Sequence, residues 1–337
     1  MLKRALQPIL HRRSLLTRSY LGQEVFQQKQ RENLKRIENP NEEKQFLMNL
    51  MKKHGSRHLC ASDAVKFIAL AETREDIDVL ADAIVDVCDQ KYDRAIFIQN
   101  VYGPFSLLCL EYNDAFNALR VLQKVTSSYG QMQRKPMKRL IFILYENQMY
   151  REIVELLQDI KHDEIYEDEV LDFYIAASYR LGSAEAFQDL HKNRSLINNL
   201  RGCARTLYVV LAIERSYFDE AMSVISDSIP EKDTFSEMQI LTLYCLIKQG
   251  KTSEALSFLD NWLKNSNSQR IDYYFSLTMM QELAAQVKDT RDKHLLSKFS
   301  DICKLLEIRA VMVDATVFDI AAGPKNANSA NYNKNLS

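Results

Sequence analysis

The segment Phe235–Asn265, FSEMQILTLYCLIKQGKTSEALSFLDNWLKN, carries the clearest alternation of apolar and polar positions in the chain. Its first half, Phe235–Gln249, is apolar on nearly every side through Met238, Ile240, Leu241, Leu243, Tyr244, Leu246 and Ile247. A helix of that kind needs neighbours on two sides. Gly250 stands where a helix C′ residue must take φ > 0, and Thr252 or Ser253 can cap a second helix. That second helix has one apolar stripe, Ala255, Leu256, Phe258, Leu259, Trp262 and Leu263, at spacings of three and four. The pattern predicts an antiparallel hairpin that cannot bury both stripes alone and must stack on similar units.

The hairpin recurs. Aligned on the first small or apolar residue inside the second helix, the units fall at Ala118, Ile153, Ala186, Ala221 and Ala255, spaced 35, 33, 35 and 34. A period near 34 marks a helix–turn–helix repeat array. The predicted pairs are Val101–Tyr112 with Asp114–Thr126, Pro136–Asn147 with Tyr150–Lys161, Glu167–Leu181 with Ser183–Asn193, and Cys203–Arg215 with Phe218–Ser228. A more polar last pair, Gln269–Val287 and Lys293–Arg309, is suited to close the stack.

Upstream, residues 21–38 read as a polar, basic-leaning helix, broken at Asn39-Pro40-Asn41. Glu42–Lys53 follows, with a stripe of Phe46, Leu47, Leu50 and Met51, and then a helix from Ser62 with Val65, Phe67, Ile68 and Leu70. Thr73-Arg74-Glu75-Asp76 is a capping-box pattern opening Ile77–Val87, where Ala81 or Ala83 begins the repeat. The expected layout is an N-terminal helical extension over 21–61, repeats over 62–309, an apolar docking segment over 310–322 and a disordered, Asn-rich tail over 323–337.

Composition narrows the class. Only 8 glycines and 6 prolines occur in 337 residues, roughly a third of average usage, which argues for an all-α protein. No apolar run approaches the roughly 18 residues of a membrane span. The six cysteines, Cys60, Cys88, Cys109, Cys203, Cys245 and Cys303, form no C-x-x-C pair and read as small core residues of a reducing compartment.

Residues 1–20 differ in kind. They hold Lys3, Arg4, Arg12, Arg13 and Arg18, no acid, and leucines at 2, 6, 10, 15 and 16. This is the make-up of a mitochondrial presequence, and import into the mitochondrion is the expectation. Five of the 44 basic residues lie there, leaving 39 against 45 acids, a net of −6. Any nucleic-acid contact must therefore come from a local patch.

With Lys248 and Gly250 at the turn and Glu254, Ala255 and Leu256 opening the second helix, the helical pair, about 35 residues long, resembles the pentatricopeptide repeat. The resemblance spans roughly residues 20–320. It implies a right-handed α-solenoid of antiparallel helix–turn–helix repeats, and a non-catalytic matrix protein that binds mitochondrial RNA. It further implies a role in RNA maturation, processing or stability, and through that in respiratory-chain function. Base-reading members of the family place a polar residue early in each first helix. The corresponding positions here are Pro104, Arg139, Asp172, Leu207 and Leu241. One base per repeat does not fit them, and backbone charge and shape are the expected means of contact.

Two basic clusters are the candidate RNA contacts. Arg134, Lys135, Lys138 and Arg139 surround a helix start, where positive charge opposes the helix dipole and a polyanion would relieve the cost. Lys192, Arg194, Arg201 and Arg205 form the second, with His191 beside them and Tyr208 or Tyr174 as candidate stacking partners. Lys29, Arg31, Lys35 and Arg36 make a third patch. Each also reads as an ordinary solvated surface. The acidic run Asp163, Glu164, Glu167, Asp168, Glu169 and Asp172 suits a helix N-terminal turn better than a metal site. The His54/His58 pair has Gly55 inside it and no third ligand in view. No phosphate loop or nucleophile elbow occurs, and no cofactor, metal or catalytic residue is expected. The other reading is a protein-binding scaffold of the matrix, acting in ribosome or respiratory-complex assembly.

Overall fold

The computed structural model describes residues 21–54, 59–90, 95–129, 134–158, 168–182, 202–226, 235–265 and 273–322, with 187–188, 191–192, 197 and 200. Among these the chain is all-α apart from one short pair of strands. The segment 1–20, the tail 323–337 and most of the predicted helix Ser183–Asn193 lie outside the described residues. The chain divides into two compact units between Leu181 and Gly182.

The N-terminal unit holds α1 (Gln23–Leu34), α2 (Pro40–His54), α3 (Ala61–Leu70), α4 (Arg74–Cys88) and α5 (Ala95–Tyr112). It continues with α6 (Ala115–Tyr129), α7 (Arg134–Glu146), α8 (Tyr150–Gln158) and α9 (Asp168–Leu181). The first helices of successive pairs touch in a row, α3 to α5, α5 to α7 and α7 to α9, while α4 packs on α6. That α4–α6 seam is polar at its edge. Asn117 donates to Asp78 at 2.6 Å, and Arg120 and Lys124 pair with Asp82 and Asp89.

The C-terminal unit holds α10 (Gly202–Glu214), α11 (Phe218–Ser226), α12 (Phe235–Lys248), α13 (Thr252–Asn265) and β1 (Tyr273–Ser276). It ends with α14 (Leu277–Thr290), α15 (Lys293–Arg309), β2 (Ala310–Val313) and α16 (Val317–Ala322). Here α10 touches α12, α12 touches α14, and α13 touches α15. Tyr208, Leu241, Leu243 and Ile247 are fully buried, which is why α10 and α12 are apolar all round.

The turns carry the period in their backbone. Left-handed φ recurs at Asn113, Gln148, Gly182, Ser216 and Gly250, in steps of 35, 34, 34 and 34. At Gly250 the closure is a Schellman motif. Lys251 N–H donates to Leu246 O at 2.9 Å and Gly250 N–H to Ile247 O at 3.0 Å. The same pair of bonds closes Gln148 (Met149 to Leu144, Gln148 to Tyr145) and Ser216 (Tyr217 to Ala212, Ser216 to Ile213). The residue after each turn then accepts the first bond of the second helix, from Ala118, Ile153, Ala221 and Ala255, four of the residues on which the repeats align. One residue thus ends one helix and starts the next. Side chains bridge neighbouring turns at the same period. Asn113 and Asn147 exchange amide bonds at 3.1 and 3.3 Å, and Lys248 reaches Glu282 at 2.7 Å, 34 residues on in each case.

The capping box at Thr73 is formed. Asp76 Oδ2 accepts from the N–H groups of Glu72 and Thr73 at 2.8 Å each, Asp76 N–H donates to Thr73 Oγ1 at 3.3 Å, and Lys44 Nζ lies 2.8 Å from Asp76. Two expectations need correction. The helix predicted from Gln269 begins only at Leu277, because Tyr273–Ser276 is a strand paired in parallel with Ala310–Val313. Tyr-Tyr-Phe is strongly β-forming, and its partner lies 37 residues away, beyond the reach of a local pattern. The stripe of α2 is Leu47 and Met51, both buried, whereas Phe46 is 63% exposed. The face that meets α3 and α4 is centred one residue later than periodicity alone placed it.

Candidate nucleic-acid interface

The basic cluster Arg134, Lys135, Lys138 and Arg139 opens α7. Pro136 is tolerated there because a first-turn N–H has no intrahelical partner. Met137 and Leu140 are buried and fix the rotation of the turn. Lys135 is exposed and Lys138 half-buried; of the Arg134 side chain nothing is described. No acid occupies the first turn to balance the dipole.

Arg139 is turned to another use. Its Nε donates to Leu21 O at 2.7 Å and its Nη1 to Ser106 Oγ at 3.3 Å. Burial pulls the guanidinium's pKa below its ordinary value. The side chain ties the residues before α1 to α5 and α7, which is the work of a structural arginine.

The second cluster is brought together only in part. Lys192 is exposed, and Arg205 on α10 is half-buried with its Nε buried and lacking a hydrogen-bond partner. Arg194 and Arg201 lie outside the described residues, as do Asp163, Glu164, Glu167 and His58. His191 stacks on Phe187 at 5.7 Å and approaches Tyr208 Oη at 3.4 Å. The stacking platform expected of Tyr174 and Tyr208 does not form, since they are 5% and 0% exposed. Both are core residues, of α9 and α10, and Leu207 on α10 and Leu241 on α12, two of the positions that correspond to base-reading ones, are buried as well. Arg139 and Arg205 fall in different units.

Lys29, Arg31, Lys35 and Arg36 are all exposed on α1 and its C-terminal end, with no acid partner among the described residues. They are the basic patch least committed to the fold. Periodicity did not reveal why α1 stays folded. Gln23, Phe26, Gln27 and Gln30 lie on its inner face at i, i+3, i+4 and i+7. That spacing is legible in EVFQQKQ, although amide side chains are not usually counted as a packing stripe.

The C-terminal unit holds a cleft of about 740 Å³ beside the ends of α10 and α12, lined by Arg215, Tyr244, Lys248 and Phe318 among others. Its cations are already engaged. Lys248 bonds Glu282, and Arg215 donates to Leu211 O at 3.3 Å and Gly182 O at 3.2 Å. Among the described residues no three His, Cys, Asp or Glu side chains gather as a metal requires. Five cysteines are described and unpaired. Burial raises the thiols of four of these, Cys88 to about 11 and Cys245 to about 12. No described helix is long and apolar enough to cross a membrane. Set against known families, curated proteins and solved structures, the chain finds no match in any of the three.

Proposed function

We propose that the protein is a non-catalytic mitochondrial RNA-binding helical-repeat protein of the matrix, acting in the maturation, processing or stability of transcripts and thereby in respiratory-chain function. The architecture this requires is a right-handed α-solenoid of antiparallel helix pairs. The left-handed turn residue recurring every 34 or 35 residues supports it, as do the rows of touching first helices within each unit. The observation that carries the RNA reading is the basic opening of α7, with Lys135 exposed and no acid in its first turn. The presequence-like segment 1–20 and the resemblance to pentatricopeptide repeats supply the compartment and the ligand class. With Leu207 and Leu241 in the core, contact runs through phosphates rather than base edges.

The test is fluorescence anisotropy of the chain on single-stranded RNA, compared with a variant carrying Arg134→Glu, Lys135→Glu and Lys138→Glu. Arg139 is left unchanged because its loss would disturb α1. Binding is expected, and the variant should weaken it and lower the slope of log K against log salt by about 2, at roughly 0.7 per lost phosphate contact. Absence of binding at moderate salt, or indifference to the three changes, contradicts the assignment.

A specific observation favours the scaffold reading as a second function. In both units the row of first helices is touched by a terminal segment of the same chain. Helix α1 lies on α3 and α5, and α16 lies on α10 and α12. A surface that accepts a helix in this way is suited to protein.

A further inference from the structure

Helix α1 is held by one face, and at its start by Leu21, which is 4% exposed and accepts from Arg139 Nε. Gln23 Nε2 donates to Glu111 Oε2 at 2.8 Å, and Gln27 Nε2 to both oxygens of Glu111 at 2.7 and 2.9 Å. Gln30 Nε2 donates to Ala71 O at 3.3 Å. Phe26, between the amides, is 8% exposed and is the helix's one buried residue. The opposite face, Val25, Gln28, Lys29 and Glu32, is open to solvent.

The receiving groups come from successive first helices. Ala71 is the C-cap of α3, so its carbonyl has no helical partner. Glu111 sits in the last turn of α5, where a carboxylate opposes the dipole and donors arriving from outside relieve it. The floor of this groove therefore meets the amides with acceptors, Ala71 O being shared with the Tyr112 hydroxyl, which donates to it at 3.3 Å. It repels a polyanion and favours a helix that brings amide donors around an aromatic ring. The attachment is slight for what it orders. Twelve residues are too few for a lone helix to be stable in water, and one phenyl ring, three amide side chains and the Arg139 bond to Leu21 O must offset that ordering.

The C-terminal unit shows the contrast. There α16 also lies across first helices, with Phe318 edge-on to Tyr244 at 5.5 Å. It follows a strand hydrogen-bonded to β1, with Val317 and Ala321 buried. It is anchored by a sheet, and α1 is not.

We propose that the face of α3 and α5 is a docking groove for an amphipathic helix, filled in cis by α1 and yielded to a helix of a partner protein. The partner helix presents an aromatic residue with side-chain amides three before, one after and four after it. The inference stands whether or not the chain binds RNA.

The test uses the full chain and a fluorescent peptide of residues 21–38. In a Phe26→Asp chain, hydrogen exchange over 23–34 should become fast while α3 and α5 keep their protection. The peptide should then bind about tenfold or more tightly than to the unmodified chain, because the cis occupant no longer holds the groove closed. A Phe26→Asp peptide should not bind, and Glu111→Ala in the Phe26→Asp chain should weaken binding. A milder chain, Gln23→Ala with Gln27→Ala, should also raise exchange over 23–34 without affecting α5. The proposal is overturned if both variants lose protection throughout α3 and α5, since α1 is then an integral core helix. It is overturned equally if the peptide fails to bind a groove that keeps its protection. Displacement of the peptide by single-stranded RNA, or α1 exchanged between two copies in a dimer of the unmodified chain, would assign the face to another occupant.

Discussion

At the scale of single residues the turns decide most. Gly250 adopts φ +70 with nothing within 4 Å of where a Cβ would stand. Gly250→Ala should therefore cost only the left-handed backbone penalty, about 1 kcal/mol, read as a lowered midpoint in urea with unchanged slope. Gln148, at φ 60, occupies the equivalent turn without being glycine. Gln148→Gly should shift stability the other way, by about 0.5–1 kcal/mol. Asp76 offers a pH-dependent check. Burial by itself would raise its carboxyl. Lys44, the N–H groups of Glu72 and Thr73 and the Thr73 hydroxyl more than offset that, and hold it below 3.8. A depressed carboxylate contributes stability above its unfolded pKa and loses it as pH falls through the folded value. Asp76→Asn should destabilise the N-terminal unit by about 1–2 kcal/mol at neutral pH. That gap should begin to narrow as pH falls below the ordinary carboxylate range and close once pH has passed the lowered folded value, where the wild-type carboxyl is protonated as well.

At the scale of elements, what was legible in the sequence was whatever local spacing controls. The period, the pairing of α5 with α6, α7 with α8, α10 with α11 and α12 with α13, and the capping box at Thr73 all follow from neighbours within a few turns. The recurring turn was only half visible, because glycine marks it at Gly182 and Gly250 while Asn113, Gln148 and Ser216 take the same conformation unannounced. Long-range pairing was not legible. Tyr273–Ser276 is a strand only because Ala310–Val313 returns beside it. Of the candidate site, the basic opening of α7 was readable as charge on a helix start. Arg139 was not readable as structural, since its acceptor Leu21 O lies 118 residues earlier. Tyr174 and Tyr208 are candidate stacking partners by their place beside the cations, and burial in the core removes them from that role.

At the scale of the whole molecule, charge and coverage set the limits on function. Beyond residue 20 the chain carries 39 basic and 45 acidic residues, so RNA binding through a few local cations should be shallow in its salt dependence. Three or four phosphate contacts correspond to a slope of about −2 to −3. A steeper slope would mean that cations outside α7 take part, Lys29, Arg31, Lys35 and Arg36 on α1 being the exposed candidates. The two readings then divide the surface, with RNA on the basic helix openings and a protein helix on the acceptor-lined face beneath α1.

Crosslinking in intact mitochondria, followed by sequencing of the recovered RNA and mass spectrometry of the crosslinked peptides, tests the RNA reading most directly. Matrix transcripts should be recovered above background, with crosslinked peptides covering Arg134–Lys138. Recovery of protein crosslinks alone, with RNA at background, would contradict RNA binding and leave the scaffold as the function.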